Sequence, residues 1–120
     1  MASRARQRAE RRGRRAENYA ALWLQIKGYR ILARRVKLPV GEIDLIARRS
    51  KIIACVEVKQ RRTLDLARQA VPDSAWLRIS RAADYWGSQH PHYDQQLWRY
   101  DLIAIAPWRW PKHYKDYWRP

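Results

Sequence analysis

Asp44, Glu57 and Lys59 are the residues whose types and spacing could do chemistry. They stand in "GEIDLIARRSKIIACVEVKQR", Gly41 to Arg61, where acids and a lysine interrupt runs of strand-forming apolar residues. Strand side chains alternate between faces. Ile52, Ala54, Val56 and Val58 therefore make one apolar face, while Glu57 and Lys59 share the other with Ile53 and Cys55. In the preceding segment Glu42, Asp44, Ile46 and Arg48 alternate with Ile43, Leu45 and Ala47. A two-residue hairpin loop at Ser50-Lys51 pairs residues whose numbers sum to 101. Asp44 then falls opposite Glu57, and Glu42 opposite Lys59. Ile43, Leu45, Val56 and Val58 are reserved for the core, and a one-residue slip would mix the faces. A shift by two would also keep the faces apart, and because "RRSK" lacks the Asn-Gly of the tightest hairpins, a four-residue loop or a bulge is an alternative to the two-residue loop.

Two carboxylates directly opposite have Cβ atoms roughly 4.5–5.5 Å apart and repel each other if nothing lies between them. A divalent cation removes that repulsion. Mg²⁺ takes one or two carboxylates and fills its remaining positions with water and phosphate oxygens. That is the equipment of phosphodiester hydrolysis, in which a metal polarises the phosphate and generates hydroxide. Lys59 could orient the water or stabilise the developing charge. Glu42 is better read as the cross-strand partner of Lys59. On pattern alone, ordinary ion pairs (Glu42–Lys59 and Asp44–Arg48) remain an equal alternative.

The elements that must position these residues follow from periodicity. Ala16, Tyr19, Ala20, Trp23 and Leu24 make one helical face, with Gly28 as its stop. Strands are expected over 29–36, 42–49, 51–59 and 97–106. A short helical piece spans 66–71. A longer helix starts at Asp73 or Ser74, buries Ala75, Trp76, Ile79, Ala82, Ala83 and Trp86, and ends near Gly87. The order helix, three strands, helix, strand predicts an α/β sandwich: an antiparallel meander, then a last strand added after a helical crossover. Residues 1–15 are a basic arm or a helix start. Residues 16–106 are the domain, and 107–120 a Trp- and Pro-rich basic tail.

Charge points to the partner. The 120 residues carry 26 Lys and Arg against 11 Asp and Glu, a formal net charge of +15. Such a surface attracts polyanions, nucleic acid first. No apolar run approaches the roughly 18 residues of a membrane span, so no membrane partner is expected. No secretory signal is evident, and a cytoplasmic location is expected. Cys55, the single cysteine, allows neither an internal disulfide nor a thiolate zinc site and reads as a small core residue.

The motif "D44…E57-V58-K59" resembles the PD-(D/E)XK nuclease signature. With "RAENYAALWLQIKGYRILARR", "GEIDLIA", "VEVKQR" and "RYDLIAIA", the stretch from Arg14 to Ala106 is similar to the YraN-type family. Its small members are classed as endonucleases without a firmly assigned activity. It also resembles archaeal Holliday junction resolvases. The resemblance implies a restriction-endonuclease-like α-β-β-β-α-β sandwich with a mixed central sheet. It also implies a Mg²⁺- or Mn²⁺-dependent endonuclease acting on DNA sooner than RNA, in branched or other non-duplex segments.

On that resemblance Asp44 and Glu57 are metal ligands, with the carbonyl of Val58 a third. Lys59 is the catalytic lysine and Glu17, in "RAENYA", an additional active-site acid. Arg61 would touch phosphate, and Arg62 with the Arg-rich start (Arg11, Arg12, Arg14 and Arg15) would hold the backbone. A solvent-facing helix acid is the plainer reading of Glu17. The chain departs from the family at Arg48, Arg49 and Ser50, and at Arg78, where a lysine is common. Ile43 takes the place of the proline in the motif's name. A nucleic-acid-binding module with this fold that cuts nothing, or an RNA-processing factor, is the alternative.

Other features compete for function. "HPH" at 90–92 could bind a metal, though no third ligand is evident. Asp101 could support the site or pair with Arg99. Trp108, Trp110, Tyr114, Tyr117 and Trp118 could stack on unpaired bases, fold back over the sheet, or form an interface with a second copy in a homodimer.

Overall fold

The computed structural model describes residues 3–120. Helix α1 runs Arg4–Ile26, with the Ser3 side chain accepting from the Arg6 N–H as its N-cap. The basic start of the chain is thus the first half of this helix. Gly28, with φ of 92°, takes the left-handed conformation that ends it. The chain then forms β1 (Arg30–Leu38), β2 (Gly41–Arg49) and β3 (Ile52–Gln60) as an antiparallel meander. A short α2 (Leu64–Arg68) and α3 (Asp73–Ser88) cross over to β4 (Leu97–Ile105), which lies parallel to β3. The result is a mixed five-stranded sheet in the order β1-β2-β3-β4-β5 with helices on both faces. Among the described residues no helix is long and apolar enough to cross a membrane.

The segment after Ala106, set apart in the sequence as a tail, supplies that fifth strand. β5 (Lys112–Trp118) pairs antiparallel with β4. Trp118 stacks on Trp76 at 6.0 Å between centroids, so this part of the segment folds back on the core under α3. Its alternation of charged and aromatic residues between prolines hid the strand.

The hairpin register is the one the alternation demanded. Arg49 faces Ile52 and Leu45 faces Val56, so the pairs sum to 101, and Ser50 adopts the positive φ of a two-residue turn. The ladder stops at Leu45↔Val56. Beyond it two expectations fail. Leu45, Val56 and Val58 pack against α1, but Ile43 belongs to the opposite cluster with Ile46, Ile53, Cys55 and Trp76. The side-chain parity of β2 therefore switches between Ile43 and Leu45, where pairing with β3 has ended. Glu42 faces Lys37 of β1 instead of Lys59, and no ion pair joins Glu42 to Lys59 among the described residues.

The helix faces explain how closely the layers approach. α1 buries Ala16, Ala20, Ala21 and Leu24. Tyr19, expected on that face, is 44% exposed, and Trp23 is half-buried against Trp110. Three alanines let the helix lie close to the sheet, and a ring at Tyr19 has no room there. On the other side α3 buries the expected Trp76, Ile79, Ala82, Ala83 and Trp86. Gly41, at the start of β2, passes so close that a Cβ there would lie 2.5 Å from the Arg78 carbonyl oxygen. This contact fixes the end of β2 that carries Asp44.

Candidate active site

The polar residues of "GEIDLIA" and "VEVKQR" gather where β2 and β3 part company. Past the last ladder pair the Val58 amide has no β2 backbone partner, and the Asp44 carboxylate takes it: Val58 N–H donates to Asp44 Oδ2 at 2.8 Å. That bond ties Asp44 to β3 next to Glu57. Glu57 is pulled well above the ordinary carboxylate range. Burial is the main cause, then the hydrogen bond and charge of Asp44; the Lys59 charge and the Val58 amide oppose it only in part. The two carboxyl groups are thus close enough to act on each other, and the Val58 amide donates to Asp44.

Asp44, Val58 and Lys59 line a cleft whose other wall is α1, contributed by Ala9, Arg12, Gly13, Ala16 and Glu17. Gln60, Arg61, Arg62 and Pro107 complete it. The fold therefore brings Glu17, Asp44 and Lys59 to one opening from three separate elements, while Glu57, next to Val58 in β3, does not line it. It also brings three of the expected arginines, Arg12, Arg61 and Arg62. Arg14 lines the adjoining groove with Glu17, Arg35 and Asp44. Arg11 and Arg15 are exposed farther round α1 and line neither cleft.

Glu17 differs from the other two acids because it has a partner. Arg35 Nε donates to its two oxygens at 3.1 and 3.2 Å. Burial raises the Glu17 pKa, Arg35 opposes it, and Asp44 raises it further, which places the two acids within electrostatic reach of each other. Arg35 itself was missed in the sequence. It sits in β1 with φ of 51°, a left-handed backbone that aims its side chain at Glu17. An arginine in "LARRVK" carries no signal of that conformation.

The donor set suits a hard divalent cation. Among the described residues no group of three or more His, Cys, Asp or Glu is arranged to hold a metal. Asp44 and Glu57 form a pair, and Mg²⁺ needs only one or two carboxylates when backbone, water and phosphate oxygens fill the rest. Their interaction is the better test. Two acids that interact, one with its pKa raised by burial and by the other, are a pair that a cation would suit. His90 and His92 make no such group: His90 stacks on Trp86 at 3.7 Å and donates from Nδ1 to the Trp86 carbonyl.

Asp101 lies elsewhere and does other work. It is fully buried and accepts from Arg99 at 2.8 and 2.7 Å, from His113 Nε2 at 2.7 Å and from the Asp116 amide at 2.9 Å. Burial would raise its pKa, but these donors hold it below the ordinary value. Arg99 also reaches the Tyr29 hydroxyl, and Lys27 the other ring nitrogen of His113. The node fastens β5 to β4 and to the end of α1. The expected pairing with Arg99 is present, in a structural role.

Residues 16–105 match the family described as uncharacterised protein family UPF0102. The chain belongs to that family. The match covers Glu17, Asp44, Glu57 and Lys59, together with Arg35 and Asp101, and omits the basic start of α1 and all of β5. The chain is 55% identical over 111 residues to a UPF0102 protein of Chelativorans sp. strain BNC1, spanning 92% of this chain and 90% of that one. It is 50% identical over 109 residues to a UPF0102 protein of Rhizobium meliloti strain 1021, covering 91% and 89% of the two chains. A UPF0102 protein of Paramagnetospirillum magneticum is 46% identical over 121 residues, at 98% and 94% coverage. The UPF0102 match runs over nearly the same stretch, Arg14 to Ala106, that holds "RAENYA", "GEIDLIA", "VEVKQR" and "RYDLIAIA".

Proposed function

We propose that this UPF0102 chain is a metal-dependent endonuclease with a restriction-endonuclease-like fold, hydrolysing phosphodiester bonds in branched or otherwise non-duplex DNA. The observation that carries this reading is the meeting of Glu17, Asp44 and Lys59 at one cleft lined also by Arg12, Arg61 and Arg62, with Asp44 tied to β3 beside Glu57 by the Val58 amide. Asp44, Glu57 and the Val58 carbonyl would hold Mg²⁺ or Mn²⁺. When bound, such a cation acts as a Lewis acid on a phosphate oxygen and lowers the pKa of its water.

The chain's own residues do the rest. Glu57 gives up its proton as the pair becomes a ligand set, so loading of the site is coupled to pH. The Val58 amide holds the Asp44 carboxylate in place throughout. Lys59 offers a positive charge to the attacking water or to the phosphate as charge builds in the transition state. Arg12, Arg61 and Arg62 bind the flanking phosphates, and binding falls steeply as salt rises.

A second reading has its own observation. Glu17 is held by Arg35, and among the described residues no third acid joins Asp44 and Glu57 in a metal-holding group. A module with this fold that binds nucleic acid without cutting would be built this way. Cleavage assays separate the two. Purified protein is incubated with labelled linear duplex, single-stranded, flapped and four-way DNA, and with RNA, in Mg²⁺, Mn²⁺ or EDTA. The nuclease reading expects cation-dependent cleavage that Asp44→Asn and Lys59→Ala each reduce by at least about 100-fold. Cleavage that survives both substitutions sinks the site assignment. Binding without cleavage on every substrate selects the module.

A further inference from the structure

The loop "PWRWP", Pro107 to Pro111, carries side chains that the cleft chemistry does not use. Trp108 is fully exposed, at 103% of its reference area, and Trp110 is 76% exposed. Trp108 also has φ of 63°. A bulky residue in the left-handed region costs roughly 1–2 kcal/mol, so the turn holds this indole in water against the backbone's preference. Prolines on both sides restrict the loop further. Trp110 stacks on Trp23 of α1 at 5.8 Å and 28°, which steadies the second ring.

This loop opens beside the candidate active site. Tyr19, Leu64, Ile105, Ala106, Trp108, Arg109 and Trp110 line a second cleft. The same three stretches of chain wall both clefts. α1 gives Glu17 to the first and Tyr19 to the second; the start of the crossover gives Arg62 and then Leu64; the end of β4 gives Pro107 to the first and Ala106 and Trp108 to the second. The two clefts therefore lie along the same stretches of chain, the first basic and acidic, the second aromatic with an arginine.

We infer that Trp108, flanked by Arg109 and the Trp110–Trp23 stack, is a docking platform for an unpaired base of a nucleic-acid strand whose phosphates lie along the cleft of Arg12, Arg61 and Arg62. The inference rests on the cleft being a nucleic-acid site and extends that reading to the structure of the substrate. Every base has a π-face, so an exposed indole takes any of them, whereas a duplex keeps those faces stacked inside. Arg109 supplies a guanidinium for the next phosphate or for stacking. A second copy of the chain fits less well, because two molecules of net charge +15 would have to join through a surface bordered by arginines.

The test measures binding by fluorescence anisotropy in EDTA, so that cleavage does not intrude. The probes are a short labelled single-stranded oligodeoxynucleotide and a blunt hairpin duplex of equal length. Trp108→Ala should weaken single-strand binding about tenfold and change duplex binding by less than about twofold. Trp108→Phe should restore most of the loss, and neither variant should shift the thermal midpoint. Equal loss on both probes, or none on either, overturns the inference. So does sedimentation showing that Trp108→Ala splits a dimer while single-strand preference is unchanged. A protein that prefers single strands through Trp108 but never cuts overturns the nuclease and leaves this platform standing. One that cuts, yet binds alike with and without Trp108, overturns the platform alone. A wild-type protein that binds neither probe overturns both.

Discussion

The tetrapeptide Asp-Leu-Ile-Ala occurs twice, at 44–47 in β2 and at 101–104 in β4, and the two aspartates meet opposite fates. Asp101 is fully buried and answered on all sides, by Arg99, His113 and the Asp116 amide. Asp44 is half-buried, receives one backbone amide, and faces another acid. A buried carboxylate with a full set of donors contributes to the fold. A carboxylate set against a second carboxylate works against the fold, and such conflict concentrates where a ligand is to be bound. The difference lies in what pairs alongside. β5 delivers His113 and the Asp116 amide to Asp101, whereas β3 has parted from β2 where Asp44 sits and delivers Glu57.

Substitutions at the two aspartates should therefore diverge. The largest effect belongs to Asp101→Ala. It leaves Arg99 and His113 inside without their anion and should cost about 3–5 kcal/mol in urea unfolding. A cost near that of a surface substitution would break the comparison. Gly41→Ala comes next, since its methyl group would press on the α3 backbone at Arg78. It should cost about 1–3 kcal/mol and weaken metal binding by moving Asp44. Smallest is Asp44→Asn, whose side-chain oxygen can still accept the Val58 N–H. Replacing one acid of the pair should change stability by no more than about 1 kcal/mol, while the proposed cleavage disappears.

The two sites also titrate in opposite senses. Glu57 is raised above its ordinary 4.5, so the stability it lends is complete below that pH and is lost as pH rises through its folded value. Asp101 and His113 are shifted down from 3.8 and 6.5. Their share is present above those values and is lost as the pH falls through the folded ones. Urea unfolding across pH should show a decline on the alkaline side of at most about 1.4 kcal/mol per pH unit, which Glu57→Gln abolishes and saturating Mg²⁺ offsets. An alkaline arm that Glu57→Gln leaves intact would assign the titration to another group.

Much of this was legible in the sequence, for definite reasons. The 45–56 hairpin could be registered because strict alternation meets a two-residue loop, and the α3 face because its apolar spacing is regular. Ile43 and Glu42 were misplaced because alternation assumes continuous pairing, and the ladder ends at Leu45↔Val56. Tyr19 was misplaced because periodicity does not say that alanines set the distance between helix and sheet. Arg35 and β5 were hidden in backbone geometry: left-handed residues at Arg35, Trp108 and Asp116 redirect side chains and amides without a glycine to mark them. Asp44 and Glu57 were named from residue type and spacing and Glu17 from the family resemblance, whereas the Asp44–Val58 bond depends on a break in the ladder.

The most direct test of the central claim is calorimetric titration of the protein with Mn²⁺ in buffers of different ionisation enthalpy. If Asp44 and Glu57 are a cation site, wild-type protein binds one ion and releases about one proton near neutral pH, the proton held on Glu57. Asp44→Asn should weaken binding by at least about tenfold, and Glu57→Gln should abolish the proton release. Binding that is absent in the wild type, or that is unchanged with the same proton count in both variants, contradicts the claim.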